Sequence, residues 1–126
     1  MIAGIGTDIV AIARVARALK RHGERFSDKV LAPAERAACP DSVRRAAYIA
    51  KRFAAKEAFF KAFGQPSSAA NTWHQLAVLN DAAGRPRMEF GPLLADLLRA
   101  QGIAYWHISL SDEHDFALAY VVLEKA

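Results

Sequence analysis

Glu57 and Lys61 stand four residues apart and therefore share one face of any helix that forms in the segment AKRFAAKEAFFKAF. At about 100° per residue, the rest of that face carries only small or apolar side chains. They are Val43, Ala46, Ala47, Ala50, Ala54 and Ala58. A carboxylate and an ammonium among alanines are partly buried, and buried charges need partners. The two groups form either an ordinary i to i+4 surface pair or a pair that faces a ligand.

Asp8 is unusual for its surroundings, because aspartate is disfavoured in strands and this one is flanked by Ile5, Ile9 and Val10. One interpretation is a plain aspartate at a strand end or turn. The other is a carboxylate that a rigid element holds for a hard cation. Magnesium sites in proteins often use one or two carboxylates, while substrate phosphate oxygens and water complete the shell. Glu57 would then be the second carboxylate.

A run of arginines marks one side of the first predicted helix. They are Arg14, Arg17, Arg21 and, if the helix runs that far, Arg25. Ile12, Val15 and Leu19 lie on the opposite side, a pattern typical of a helix docked on its core with its charge outward. No acidic residue balances this face, so it either serves solubility or attracts an anionic partner.

His107 and Ser109 share one face of a predicted strand, opposite Trp106 and Ile108. His107 is either a general base or phosphate ligand, or simply a half-exposed strand histidine. The histidines and Cys39 show no zinc-type spacing. The chain also lacks a Walker loop, and GIGTDI does not match the dinucleotide-binding GxGxxG pattern.

The chain has 126 residues, of which 53% are hydrophobic and 24% charged, a composition that excludes a disordered protein and predicts one domain over 1–126. No apolar stretch is long enough to span a bilayer, and Asp8 interrupts the region where a signal peptide would be apolar. A single cysteine permits no disulfide within the chain, which fits a cytoplasmic location. The net charge of +4 favours acidic partners.

Periodicity and turn residues predict an α+β fold. Strands are expected at 2–10, 76–79, 87–90, 104–111 and 116–124, and helices at 11–22, 33–39, 41–63 and 92–100. Asp41 is the predicted N-cap of the long helix, and Gly64 follows its end. Residues 65–71 are expected to form a polar loop. The order β-α-α-α-β-β-α-β-β is not a regular βαβ alternation, which favours α+β.

In four segments the chain resembles the holo-acyl-carrier-protein synthases, the small bacterial family of phosphopantetheinyl transferases. The segments are GIGTDIVAIARV, AKRFAAKEAFFKAFG, NDAAGRPR and HISLSDEHDFALAYVV. They occur in the family's order and spacing, and they run through nearly the whole chain. The resemblance implies the phosphopantetheinyl-transferase fold, in which a small antiparallel sheet packs on a long helix.

The resemblance also implies a reaction. A serine hydroxyl of an apo acyl carrier protein attacks the pyrophosphate of coenzyme A, the phosphopantetheine arm moves to the serine, and adenosine 3',5'-bisphosphate leaves. Asp8 and Glu57 match the residues that hold the magnesium cofactor, and Lys61 matches a lysine beside the same phosphates. Glu57, Lys61 and His107 are the implied catalytic residues. The base stays open between a metal-bound water, Glu57 and His107.

Further positions match the family's coenzyme A site. They are Arg52, Lys61, Gly64, Gly84, Pro86, His107 and Ser109. Arg14, Arg17 and Arg21 are expected to meet the acidic surface of the carrier protein. The family forms homotrimers with active sites between neighbouring subunits, and the resemblance implies the same here, in the cytoplasm and in fatty acid and lipid biosynthesis.

Asp112 departs from the family, which often has a second histidine after HISLS, so we assign no catalytic residue in that segment beyond His107. The loop 65–71 is also less glycine-rich than in many relatives. A competing hypothesis is a basic domain that binds nucleic acid through its arginine helix. The chain lacks a set of aromatic residues for base stacking and any known nucleic-acid-binding signature, so we expect neither a nucleic acid nor a membrane partner.

Overall fold

A computed structural model describes residues 1–65 and 73–126. The strands are β1 (Ile2–Ala11), β2 (Leu76–Asn80), β3 (Pro86–Phe90), β4 (Ile103–Asp112) and β5 (Phe116–Lys125). The helices are α1 (Ile12–His22), α2 (Glu24–Val30), α3 (Pro33–Ala38), α4 (Arg45–Phe63) and α5 (Pro92–Ala100), and Trp73–Gln75 forms one turn of 3-10 helix before β2. The predicted α+β class is confirmed. None of the helices in these two ranges is long and apolar enough to cross a membrane.

The sheet that carries β1 is antiparallel, with the order β1-β5-β4, while β2 and β3 form a separate hairpin. Side chains alternate along β5: Ala117 and Ala119 are fully buried, whereas Leu118 and Tyr120 are exposed. This alternation gives the sheet an inner face, packed on α4, and an outer face that no element among the described residues covers with a buried core. The prediction of a small antiparallel sheet on a long helix is confirmed.

The approach of β1 to α4 depends on glycine and alanine. A Cβ atom at Gly6 would overlap the carbonyl oxygen of Ala58, and one at Gly4 would overlap that of Ala62. The two backbones therefore touch directly. Because strand and helix lie so close, side chains that project beside this contact from either element can reach one another.

The predicted start of the long helix was wrong. The long helix begins at Arg45, four residues after Asp41, so Asp41 is not its N-cap, and Val43 lies before the helix with 99% of its surface exposed. The hydroxyl of Ser42 instead accepts a hydrogen bond from the Arg44 amide at 3.2 Å within the preceding turn. The helix therefore starts without a side-chain cap.

Helix α2 was not predicted. It has only seven residues, and Gly23 separates it from α1 with a φ of +61° that ends the first helix. Arg25 consequently belongs to α2 and does not extend the arginine face of α1. The predicted loop 65–71 lies largely outside the described residues.

Candidate active site

Asp8 and Lys61 come together where β1 crosses the last turns of α4. The Nζ atom of Lys61 lies 3.3 Å from Oδ1 of Asp8 and donates a hydrogen bond to the Thr7 carbonyl at 3.0 Å. Side-chain exposure is 18% for Asp8 and 55% for Lys61. The aspartate is therefore mostly buried, and the lysine approaches it from the solvent side. The close packing of glycine on alanine brings together two residues that are 53 positions apart.

Glu57 belongs to the same cluster. Burial raises the pKa of its carboxyl group, and the negative charge of Asp8 raises it further, while Lys61 and Arg14 act in the opposite direction. Two carboxylates and two cations therefore lie within one another's electrostatic field. The structure brings together the three residues that the sequence predicted as a working site.

The donor set at this position fits a magnesium ion. Asp8 and Glu57 supply two carboxylates, and their mutual repulsion is what a divalent cation would relieve. Within residues 1–65 and 73–126, no group of three or more His, Cys, Asp or Glu side chains is arranged to hold a metal. A two-carboxylate set suits a cation whose remaining ligands are phosphate and water oxygens.

An open depression of about 350 Å³ lies beside Asp8. Its lining residues are Thr7, Asp8, Ile9, Lys61 and Leu118. The ammonium of Lys61 and the carboxylate of Asp8 supply its polar groups, and Ile9 and Leu118 come from the outer face of the sheet. The depression therefore lies at the β1 edge, where the charged cluster meets that outer face.

The arginines of α1 lie on the exposed side of the helix, as predicted. Arg14, Arg17 and Arg21 are exposed, while Val15 on the opposite side is buried with 2% exposure. The guanidinium of Arg14 lies 5.8 Å from the ring centre of Phe53, one turn before Glu57 on α4. Arg14 thus connects the basic helix to the charged cluster.

Arg52 lies away from this cluster, about 140° around α4 from Glu57. It is 2% exposed, its Nε donates to the Val78 carbonyl at 3.1 Å, and its guanidinium lies 3.9 Å from the ring centre of Tyr48. Burial lowers its pKa. No carboxylate of the described residues lies within ion-pair distance, so this buried cation is balanced by an aromatic ring and a carbonyl.

His107 and Ser109 lie on the outer face of β4, as strand alternation predicted. Nε2 of His107 lies 2.9 Å from a carboxylate oxygen of Glu124 on β5. Because β5 separates β4 from β1, His107 and Asp8 occupy different edges and different faces of the sheet. Within one chain the fold does not bring His107 to the cluster.

The remaining predicted residues are turn and terminus positions. Gly64 ends α4 with a φ of +76°, and Gly84 has a φ of +84° in the turn between β2 and β3. In that turn, Oδ1 of Asp81 accepts hydrogen bonds from the amides of Ala83 and Arg85, both at 2.9 Å. Pro86 opens β3. Gly84 and Pro86 belong to a hairpin separate from the sheet that carries Asp8, whereas Gly64 follows Lys61 by three residues.

Comparison with known proteins decides the family. The family model described as ACPS, 4'-phosphopantetheinyl transferase superfamily, matches residues 4–121. The chain belongs to the phosphopantetheinyl transferase superfamily. A holo-[acyl-carrier-protein] synthase of Thiobacillus denitrificans is 47% identical over 126 residues, which are 100% of this chain and 96% of that protein. The prediction of this transferase family, and of an enzyme, is confirmed.

Solved structures agree with this phosphopantetheinyl transferase assignment. The crystal structure of holo-[acyl-carrier-protein] synthase from Neisseria meningitidis is 44% identical, with a TM-score of 0.93 over 99% of this chain and 100% of that chain. A Bacillus anthracis holo-(acyl-carrier-protein) synthase in complex with CoA (3',5'-ADP) is 31% identical, with a TM-score of 0.83 over 100% of this chain and 99% of that one.

Sequence reasoning missed a buried ion pair in this transferase. Lys56 and Glu35 both have 0% side-chain exposure, and their Nζ and Oε1 atoms are 2.6 Å apart. One signal could have found them: Tyr48, Arg52 and Lys56 recur every four residues, which places a second polar stripe on α4. Glu35 shows no such pattern in the sequence.

Asp112 forms an ion pair with Lys51 of α4 at 3.4 Å. The side chains are 27% exposed for Lys51 and 41% for Asp112, so the contact is a partly screened surface pair. It joins the end of β4 to the long helix.

Proposed function

We propose that this chain transfers the phosphopantetheine arm of coenzyme A to a serine of an apo acyl carrier protein, in a magnesium-dependent reaction. The products are a holo acyl carrier protein and adenosine 3',5'-bisphosphate. The observation that carries the proposal is the cluster of Asp8, Glu57 and Lys61 in a chain of this superfamily. The names of the relatives and the coenzyme A complex of one of them support the donor and the acceptor.

The reaction needs positioning and charge neutralisation more than covalent protein chemistry. The serine oxygen forms a bond to the phosphorus that carries the pantetheine arm, and the bond from that phosphorus to the bridging oxygen breaks. Asp8 and Glu57 would hold magnesium, which when bound offsets charge on the pyrophosphate. Lys61, half exposed beside them, would neutralise the leaving phosphate. The serine proton goes to a base, for which Glu57 and His107 are the candidate side chains.

Arg52 would bind a phosphate group of coenzyme A. Its guanidinium is buried without a carboxylate partner among the described residues, and such a cation suits an anionic ligand. We assign the other coenzyme A contacts to the positions matched from the family. They are Gly64, Gly84, Pro86, His107 and Ser109.

The arginine face of α1 would dock the carrier protein. Arg14, Arg17 and Arg21 are exposed, and α1 carries no acidic residue, so its field attracts an acidic surface. Arg14 stands closest to Glu57, which would direct the docked serine towards the cluster.

We further propose that the chain works as a homotrimer. The outer face of the sheet exposes large apolar side chains with 41% to 61% exposure: Ile5, Ile9, Phe116, Leu118 and Tyr120. A contiguous apolar face of this kind favours association. His107 and Ser109 lie on the same face, so a neighbouring copy would carry its own His107 towards the Asp8 edge. The active site would then form between neighbouring copies. We place the enzyme in the cytoplasm and its reaction in fatty acid and lipid biosynthesis.

A mass-shift assay tests the function. Purified chain is incubated with coenzyme A, magnesium and the apo carrier protein of its host, and the carrier protein is weighed by mass spectrometry. We expect a gain of one phosphopantetheine, lost when EDTA replaces magnesium and lost when the acceptor serine is alanine. Folded protein that leaves the carrier protein unmodified would overturn the proposal.

A further inference from the structure

The buried pair of Glu35 and Lys56 joins five parts of the fold. The Lys56 ammonium donates to the Val30 carbonyl at 2.6 Å, to the Trp73 carbonyl at 2.8 Å and to Oε1 of Glu35 at 2.6 Å. The Glu35 carboxylate also accepts the Ala32 amide at 2.8 Å and the Val78 amide at 2.9 Å. The pair thereby ties the end of α2, the start of α3, the middle of α4, the turn at Trp73 and strand β2 to one point.

Every polar group of the pair has a partner. Lys56 uses its three N–H donors, and both oxygens of Glu35 accept hydrogen bonds. A network of this kind is satisfied in one arrangement only, because a rotated helix would leave a buried charge unpaired. The network therefore specifies how α4 is rotated about its axis.

The rotation of α4 decides where Glu57 points. Lys56 lies about 160° around the helix from both Ala54 and Ala58, at 100° per residue. Ala58 contacts Gly6 of the sheet, while Lys56 contacts Glu35 on the opposite side. The helix is thus held from two opposed sides, and Glu57, about 100° from each, projects between them towards Asp8.

We infer that Glu35 and Lys56 are positioning residues for Glu57: they hold α4 at the rotation in which the Glu57 carboxylate faces the side where β1 carries Asp8. This inference rests on the proposed function, in which Glu57 holds magnesium on the pyrophosphate. A pair that only stabilised the fold would affect the folded fraction and leave the turnover of each folded molecule unchanged. A positioning pair affects turnover in molecules that remain folded.

The test uses the double variant Glu35→Gln/Lys56→Met, because an uncharged pair of similar shape keeps a buried site folded where a lone charge would not. We expect cooperative unfolding, as in the wild type, together with a kcat lower by about 10- to 100-fold, the usual loss when residues that orient metal ligands are changed. The magnesium concentration for half-maximal rate rises. The KM for the carrier protein, which depends on α1, stays within about twofold.

Two further variants make the result specific. Glu35→Gln alone leaves the Lys56 ammonium buried without a carboxylate, so it should destabilise the protein more than the double variant does. Lys51→Met removes another lysine of α4, whose ammonium forms a partly exposed pair with Asp112, and should leave kcat unchanged. A double variant with wild-type kcat, or with a loss that matches its unfolded fraction, would refute the positioning role.

A spectroscopic measurement separates this inference from the proposed function. In a Trp106→Phe background Trp73 is the sole tryptophan, and its carbonyl is bonded to Lys56 while its ring packs on Phe53 with 5.3 Å between centroids. The double variant should expose Trp73 to acrylamide quenching, and Lys51→Met should not. Wild-type protein without transfer activity would refute the function, whereas unchanged quenching in the double variant would refute the positioning role of Glu35 and Lys56.

Discussion

Asp8 and Glu57 are two carboxylates in one field, and Glu57 does not stabilise the fold in its ionised form. Burial and the neighbouring charge both raise the pKa of Glu57, so its ionised form is disfavoured in the fold. Residues that cost stability and lie in a charged cluster are typical of functional sites. The interpretation of this pair as a site therefore depends on an energetic argument as well as on position.

Asp8→Asn should lower kcat by at least about 100-fold, the order of loss when one electrostatic group at a reacting centre is removed. The variant should melt close to the wild type, because the loss of the ion pair with Lys61 is offset by the removal of a charge that repels Glu57. Mass-shift rates and thermal melting measure the two effects. Asp96→Asn, which changes an exposed carboxylate paired with Arg99, is the matched control and should keep the wild-type rate.

Glu57→Gln tests the same energetics through pH. A carboxyl whose pKa is higher in the fold than its ordinary 4.5 holds its proton more tightly when folded, so wild-type stability falls as pH rises through and above that value. The variant lacks this fall. Chemical denaturation in EDTA measures the free energy of unfolding of both proteins. We expect the value for Glu57→Gln minus the value for the wild type to be larger at pH 7 than at pH 4. An equal difference at both pH values would contradict the shift.

At the scale of elements, the contact of β1 with α4 is what assembles the site. Gly6→Ala should destabilise the protein by about 1–3 kcal/mol, because its methyl group would overlap the Ala58 carbonyl and force strand and helix apart. Asp8 would move with β1, so kcat should fall in molecules that remain folded. Gly102→Ala is the contrast: its φ of +76° costs about 1–2 kcal/mol, but no atom lies within 4 Å, and kcat should not change.

The basic face of α1 predicts a separate phenotype. Arg17→Glu/Arg21→Glu should raise the KM for the carrier protein and weaken the dependence of association on salt, while kcat at saturation stays near that of the wild type. The reason is that exposed charges steer encounter and contribute little to the chemical step. Arg99→Glu, a charge reversal at an exposed arginine on α5, is the control for a charge change away from α1. An unchanged KM in the double variant would remove α1 from the docking surface.

At the scale of the whole molecule, the proposed trimer would link the outer sheet face to the charged cluster. Ile5 is 56% exposed in the middle of that face, so Ile5→Lys should dissociate a trimer by placing charge in its interface. Analytical ultracentrifugation should show a smaller species, with activity lost because His107 would no longer reach the Asp8 edge of a neighbour. Leu93→Lys, at a similarly exposed position on α5 with 51% exposure, should change neither the size of the sedimenting species nor the activity. A wild-type chain that sediments as a monomer would contradict the trimer.

The sequence by itself determined what depends on local periodicity. Helical spacing puts Glu57 and Lys61 on one face, and strand alternation puts His107 and Ser109 on the outer face, because both relations follow from backbone geometry. It also predicted the strands and most of the helices. The short helix α2 was not predicted, since its seven residues form too few turns to establish a hydrophobic period. The long helix was predicted to start too early, because Asp41 is a residue type that often caps helices but does not lie at the start of this one.

Only the tertiary structure decided which distant groups meet. The separation of 53 residues between Asp8 and Lys61 is closed by the contact of glycine backbone on alanine, and the 21 residues between Glu35 and Lys56 by burial of one charge against another. In the sequence, Lys56 is one more lysine on a charged helix. Its burial beside a single carboxylate depends on how α2, α3 and β2 pack around α4, and packing of distant segments is not encoded in any local period. The sequence therefore suggested all three members of the cluster of Glu57, Lys61 and Asp8, and only the fold brings Asp8 to the helix face of the other two.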